Sequence, residues 1–325
     1  MIKFVVAAGP CYELFYSPAC VFLPALYLHS NWQSEDNMRI IRFIFLSPHE
    51  SRLRAGWRLL LQTLLWIILQ MVIGVPLIPA LSGLHSDLIA MGIVGLVATT
   101  VSVYIARRWL DKRKFVSLGL RVSRRTWRDI LAGVVIAGSL MGLVYLIEWA
   151  TGWLTFNGFA WQVDPWSVVL REVLTFIVVF ALVAWNEELL SRGYHLQTLE
   201  SGLNTFWAVF LSSAVFGVMH LGNPNATWVS ALGILLAGIF LAYGYLVTRQ
   251  LWLPIGLHLG WNFFEGVGFG FPVSGLDTYP LTRITVSGPE MWTGGAFGPE
   301  AGLIIIPALA VGAGLIWLYS KRRVA

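Results

Sequence analysis

Six polar side chains interrupt apolar stretches in the second half of this 325-residue chain: Glu187, Glu188, Arg192, His220, His258 and Asn262. They stand in three short runs, Asn186-Glu187-Glu188-Leu189-Leu190-Ser191-Arg192, Phe216-Gly217-Val218-Met219-His220 and His258-Leu259-Gly260-Trp261-Asn262. A carboxylate beside imidazoles can activate water. Glu187 would serve as general base, His220 would hold the same water or pass on its proton, and His258 with Asn262 would donate where an oxyanion forms. Glu187, His220 and His258 also make an acceptable three-ligand set for a divalent metal such as zinc, with water in the fourth place. The chain has no His-Glu-x-x-His sequence, and Asn262 beside His258 suits an oxyanion donor better than a ligand, so this reading leans to chemistry without a metal.

Helix phase divides the acidic pair. At about 100° per residue, Glu188 and Arg192 are four apart and share a face, whereas Glu187 is turned from Arg192 by roughly 140°. Glu188 is therefore the expected ion-pair partner of Arg192, which positions the acidic pair, and Glu187 is free to point at another helix. His258 and Asn262, also four apart, can project into one site.

The elements that must hold these groups are membrane helices. Apolar residues make up 57% of the chain and charged residues only 12%, far from the balance of a soluble domain. Stretches long enough to cross a bilayer are expected near 59–81, 88–106, 130–150, 166–190, 203–221, 228–247, 254–271 and 301–319. The expectation is an all-α polytopic membrane protein of about eight helices, with the site among helices four to seven.

Arg39, Arg42, Arg52, Arg54 and Arg58 precede the first stretch, nine basic residues lie between Arg107 and Arg128, and Lys321, Arg322 and Arg323 follow the last. By the positive-inside rule these three regions, and hence both termini, are cytoplasmic, and the segment from Pro272 to Glu300 lies on the opposite side. The net charge of +5 is thus accounted for by helix orientation, and no nucleic-acid partner is expected. Residues 1–37 fit least well and read as a signal-like segment, a reentrant piece or, the favoured reading, an N-terminal extension, with 38–325 a single eight-helix domain whose motif core is 170–270. The two cysteines, Cys11 and Cys20, lie in that extension and support no disulfide framework.

Glu187-Glu188-x-x-x-Arg192, Phe216-x-x-x-His220 and His258-x-x-x-Asn262, in this order on successive membrane helices, resemble the three motifs of the CPBP family (CAAX protease and bacteriocin-processing, also called Abi), which includes the type II CAAX prenyl endopeptidases. Thr293-Gly294-Gly295-Ala296-Phe297-Gly298-Pro299-Glu300 is similar to a stretch of bacterial members. The resemblance implies an eight-helix intramembrane protease in the bacterial cell (inner) membrane. Its substrates would be membrane-associated peptides, among them prenylated CAAX proteins, and its catalytic residues would match Glu187, His220, His258 and Asn262. The family is often described as metalloproteases, with Glu187, His220 and His258 then the ligands.

Plainer readings exist. The acidic pair and Arg192 could be a structural ion-pair cluster at a helix end, and His220 a polar cap before Asn223-Pro224. Glu148 and Arg171, near span ends, are expected to reach toward water. The whole set could serve a proton- or cation-coupled transporter, or a scaffold or immunity protein of the same fold. One geometric demand is severe: on straight spans His220 and His258 begin on the order of 30 Å apart, so a common site needs bent or tilted helices, with Pro224 and Pro254 as the expected breaks.

Overall fold

The computed structural model describes residues 42–47, 50–81 and 87–324, and the expected extension, 1–37, lies outside them. The chain divides after Glu50 into two units, and the unit from Ser51 onward carries everything discussed below. Its long helices are α1 (Ala55–Leu81), α2 (Asp87–Ile105), α3 (Arg124–Ala150), α4 (Trp166–Glu188), α5 (Thr205–Met219), α6 (Trp228–Thr248), α7 (Trp252–Asn262) and α8 (Ile305–Val324). Leu189–His195 and Phe263–Gly268 prolong α4 and α7 as π-helix.

Because most of these helices are apolar on every side, polar caps fix where several begin. Ser123 and Thr126 form a reciprocal capping box at α3, Thr227 and Ser230 another at α6, and Asn204 accepts from the Trp207 amide at α5. Among the described residues, six helical segments are long and apolar enough to cross a bilayer: Ala55–Ala80, Asp87–Leu110, Arg124–Ala150, Trp166–Glu200, Thr205–Gly222 and Trp228–Thr248. Helices overlie the eight expected stretches, but α7, only 11 residues long, and α8, ending in Lys321, Arg322 and Arg323, do not meet that measure, which bears out six of the eight spans.

The three basic regions meet at one end of the bundle. Arg58 at the start of α1 and Arg107 after α2 both pair with buried Asp111, Arg107 at 3.0 Å. Arg323 at the end of α8 pairs with Asp129 near the start of α3 at 2.9 Å, where Tyr319 also donates. The arginines read as topological signals are therefore also structural, since a buried carboxylate needs such partners.

At the other end, two short strands absent from the sequence expectation, β1 (Leu154–Phe159) and β2 (Thr282–Val286), pair antiparallel from Leu154↔Val286 to Phe159↔Thr282, with an irregularity between Phe156 and Gly158. Glu148 corrects the expectation for span ends: it is fully buried, because the chain turns through Gly152 (φ +75°) into β1, which packs back on α3. Arg171 is exposed and pairs with Glu172.

The closest helix packing is between α3 and α7. A Cβ on Gly256 would strike the Ile130 backbone, and one on Gly260 would lie 2.7 Å from Val134 Cα, so the two axes approach as small residues permit. Gly256→Val should lower stability by about 1–3 kcal/mol, the usual cost of overpacking. Thermal unfolding of the purified protein checks this, and an unchanged midpoint would count against the close α3–α7 seam.

Candidate active site

Glu187 and Glu188 close α4, at the point where the helix widens into the π-helical turn Leu189–His195. Such turns re-aim side chains and recur at functional sites. Asn186 fixes the level of this end by donating to the Gly92 carbonyl of α2 at 3.1 Å. Gly92 and Gly95 permit the approach, since a Cβ on either would meet Leu182 or Asn186.

Glu188 is fully buried and accepts from Arg192 Nη1 at 2.6 Å, the pairing expected from helix phase. Arg192 also donates through Nη2 to the Gly238 carbonyl in mid-α6, and its guanidinium lies 4.3 Å from the centroid of the Phe216 ring. This clamp ties α4, α5 and α6 together. Glu188 Oε1 receives a second hydrogen bond, from His258 Nδ1 at 2.8 Å. Glu187 faces away from Arg192: its Oε2 lies 3.7 Å from His220 Nε2 and 3.7 Å from His258 Nε2.

Both imidazoles are anchored through Nδ1. His220 Nδ1 is 2.8 Å from the Phe216 carbonyl, which can only accept, so Nδ1 carries hydrogen and Nε2 is turned toward Glu187. His258 turns Nδ1 to the Glu188 carboxylate and Nε2 to Glu187. Phe216 stands between the rings, edge to face with both, at 4.7 Å from His220 and 6.3 Å from His258. Asn262 follows His258 by one turn on α7, is buried, and lines the same cavity as Glu187 and both histidines. The cavity measures about 350 Å³ and is otherwise mostly apolar.

The expected separation of His220 and His258 does not arise: both Nε2 atoms lie 3.7 Å from Glu187 Oε2, and the chain leaves α5 just before Pro224. Pro254 sits in the first turn of α7, where a missing N–H costs nothing. His258 lies six residues into α7, about 9 Å along its axis, so it starts well inside the bundle. From the other end, α5 stops at Met219 and His220 opens a 3₁₀ turn, His220–Gly222. Its neighbour Phe216 packs on Ile234, six residues into α6. His258 thus reaches Glu187 from well inside α7, and His220 from the end of α5, its ring folded back toward the Phe216 carbonyl.

One residue of the cavity was missed as a site residue. Glu300, within the stretch singled out for its likeness to bacterial relatives, lines the cavity and is 4% exposed. Ser274 Oγ donates to its Oε2, and Asn223 Nδ2 donates to the Ser274 carbonyl at 3.0 Å. Gly298 (φ +106°) and Gly275 (φ +83°) allow this loop to press against the Pro272 and Pro224 carbonyls. The segment expected on the side opposite the termini thus contributes Glu300 to the lining of the site.

Glu187, His220 and His258 supply donor atoms chemically suited to a divalent metal. Their placement does not match one: among the described residues no group of three or more His, Cys, Asp or Glu side chains is arranged to hold a metal ion.

Residues 169–264, the segment that carries all three motifs, match the family model described as type II CAAX prenyl endopeptidase Rce1-like. This is an integral membrane protein whose residues 169–264 are similar to that family. It is similar to "Uncharacterized protein YyaK" of Bacillus subtilis (strain 168), with 24% identity over 226 residues, 68% of this chain and 72% of that protein. It is also similar to "Putative membrane peptidase YdiL" of the same organism, with 30% identity over 97 residues, 30% of this chain and 38% of that one.

Proposed function

We propose that this chain is an intramembrane endopeptidase acting on membrane-associated peptides, prenylated CAAX-type proteins among the candidates, with both termini cytoplasmic. The observation that carries the reading is the convergence of both imidazole Nε2 atoms on Glu187 Oε2, each at 3.7 Å, inside a cavity. A structural ion pair would need only Glu188 and Arg192.

In the proposed reaction a water held by Glu187 and His220 Nε2 gives a proton to Glu187 as its oxygen attacks the scissile carbonyl. The carbonyl oxygen becomes an oxyanion and accepts hydrogen bonds from Asn262 Nδ2 and from His258 in its doubly protonated form. Glu188 supports that form by accepting from Nδ1. Collapse of the intermediate breaks the C–N bond, and Glu187 returns the proton to the leaving amine. Arg192 is a positioning residue: it holds Glu188, which in turn aims His258. No step is routed through a metal.

The test is cleavage of a lipid-anchored peptide library by the purified protein, with bound metal measured in the same preparation. His220→Ala and His258→Ala are each expected to lower the rate by about 10²-fold or more, within the range of acid–base and oxyanion contributions. Cleavage should survive chelation. Activity that disappears with a stoichiometric metal and returns when that metal is restored would replace this mechanism with a metal-dependent one.

A further inference from the structure

The cavity has a charge imbalance that the hydrolytic machinery does not use. Besides Glu187 it is lined by Glu300 and Asp277, and among its described lining residues there is no lysine or arginine. Arg192 is already committed to Glu188. Glu300 is buried, its carboxyl faces the cavity, and the single side-chain donor to it among the described residues is Ser274. Asp277 is exposed, where the cavity reaches the surface. Glu265, fully buried and in electrostatic reach of Glu300, stands behind it.

The rest of the lining includes Trp66, Phe176, Phe180, Phe216, Phe240 and Trp261. Aromatic faces attract a cation, and apolar walls accommodate the methylene stem of a long side chain that carries one. A buried carboxylate with no lysine or arginine beside it is costly in the ionised form: burial raises the Glu300 carboxyl from its ordinary value, and Ser274 with the nearby His220 and His258 only partly opposes this. A ligand that brings its own positive charge relieves that cost, whereas one that brings a carboxylate adds to it.

Resting on the proteolytic reading above, we propose that the Glu300 end of the cavity is a cation-selecting subsite. It receives a lysine or arginine side chain of the membrane-bound peptide next to the scissile bond. Ser274 orients the Glu300 carboxyl, Asp277 draws the cation in from the surface, and the aromatic lining holds the stem. A peptide presenting its C-terminal carboxylate at this end is disfavoured.

The test uses the purified full chain and lipid-anchored peptides that differ at one position flanking the cleaved bond: lysine, arginine, norleucine or glutamate. The bond itself is N-methylated so that binding is read by fluorescence anisotropy without turnover. Lysine and arginine peptides should bind about tenfold tighter than norleucine, the size of one charge-assisted hydrogen bond. Glu300→Gln should reduce the preference to about twofold or less. If that variant does not fold, Glu300→Asp takes its place, and the shortened side chain should cut the preference about threefold. Equal binding of lysine and norleucine by the wild type, or an unchanged preference in the folded Glu300 variant, overturns the proposal. The two readings fail separately: a Glu300-dependent preference without any cleavage would retire the protease and leave the subsite, and Glu187-dependent cleavage without the preference would do the reverse.

Discussion

Glu187→Gln is expected to lower the rate of peptide hydrolysis by about 10²–10⁴-fold, the range that a general base contributes. The substitution keeps the shape of the side chain and removes the group that takes the proton from water. Glu187 makes no ion pair with Arg192, its side chain is 33% exposed, and its Oε2 faces the two Nε2 atoms without a hydrogen-bond partner. Fold stability should therefore change little. Turnover of the cleaved library peptides by wild type and variant gives the ratio, and thermal unfolding gives the control. A Glu187→Gln protein that cleaves at the wild-type rate would end the proposed mechanism.

Arg192→Leu should instead act on stability, by about 3–5 kcal/mol, because it strands a carboxylate where water cannot reach. Glu188 is fully buried, and without Arg192 only His258 Nδ1 remains to neutralise it. The same change empties the clamp on the Gly238 carbonyl and the Phe216 ring. Arg192→Lys should recover only part of the loss, since an ammonium cannot span Glu188 and Gly238 together or lie flat on the ring. Thermal or denaturant unfolding in detergent reads both variants. A loss below about 1 kcal/mol would mean that the pair is solvated, like a surface salt bridge, and not part of the core.

These contrasting expectations rest on a division of labour that is legible in the order of the residues. Helix phase at residues 187–192 separates the two carboxylates, and the observed contacts follow it: Glu188 to Arg192, Glu187 to the histidines. The helices are legible for a similar reason, because a segment that must bury its backbone polar groups in lipid needs about twenty apolar residues in a row. The π-helical turns after Glu188 and Asn262 are not legible. Gly193, Gly266 and Gly268 weaken the helical pattern there but do not specify a π-turn, and the widening depends on what packs around it.

The acidic pair, the motif histidines, Asn262 and the apolar spans around them were determined by the sequence alone, because a polar residue in an apolar run is costly enough to need a purpose. The depth at which His220 and His258 enter the bundle was decided only by the tertiary structure, since helix rise measures distance along one axis and says nothing of where neighbouring helices stop. Glu300 was decided there too. It lies 38 residues past Asn262, in a polar loop where a glutamate is unremarked, and only the folding of that loop against Pro224, Pro272 and Gly233 carries its carboxyl into the cavity that holds Glu187.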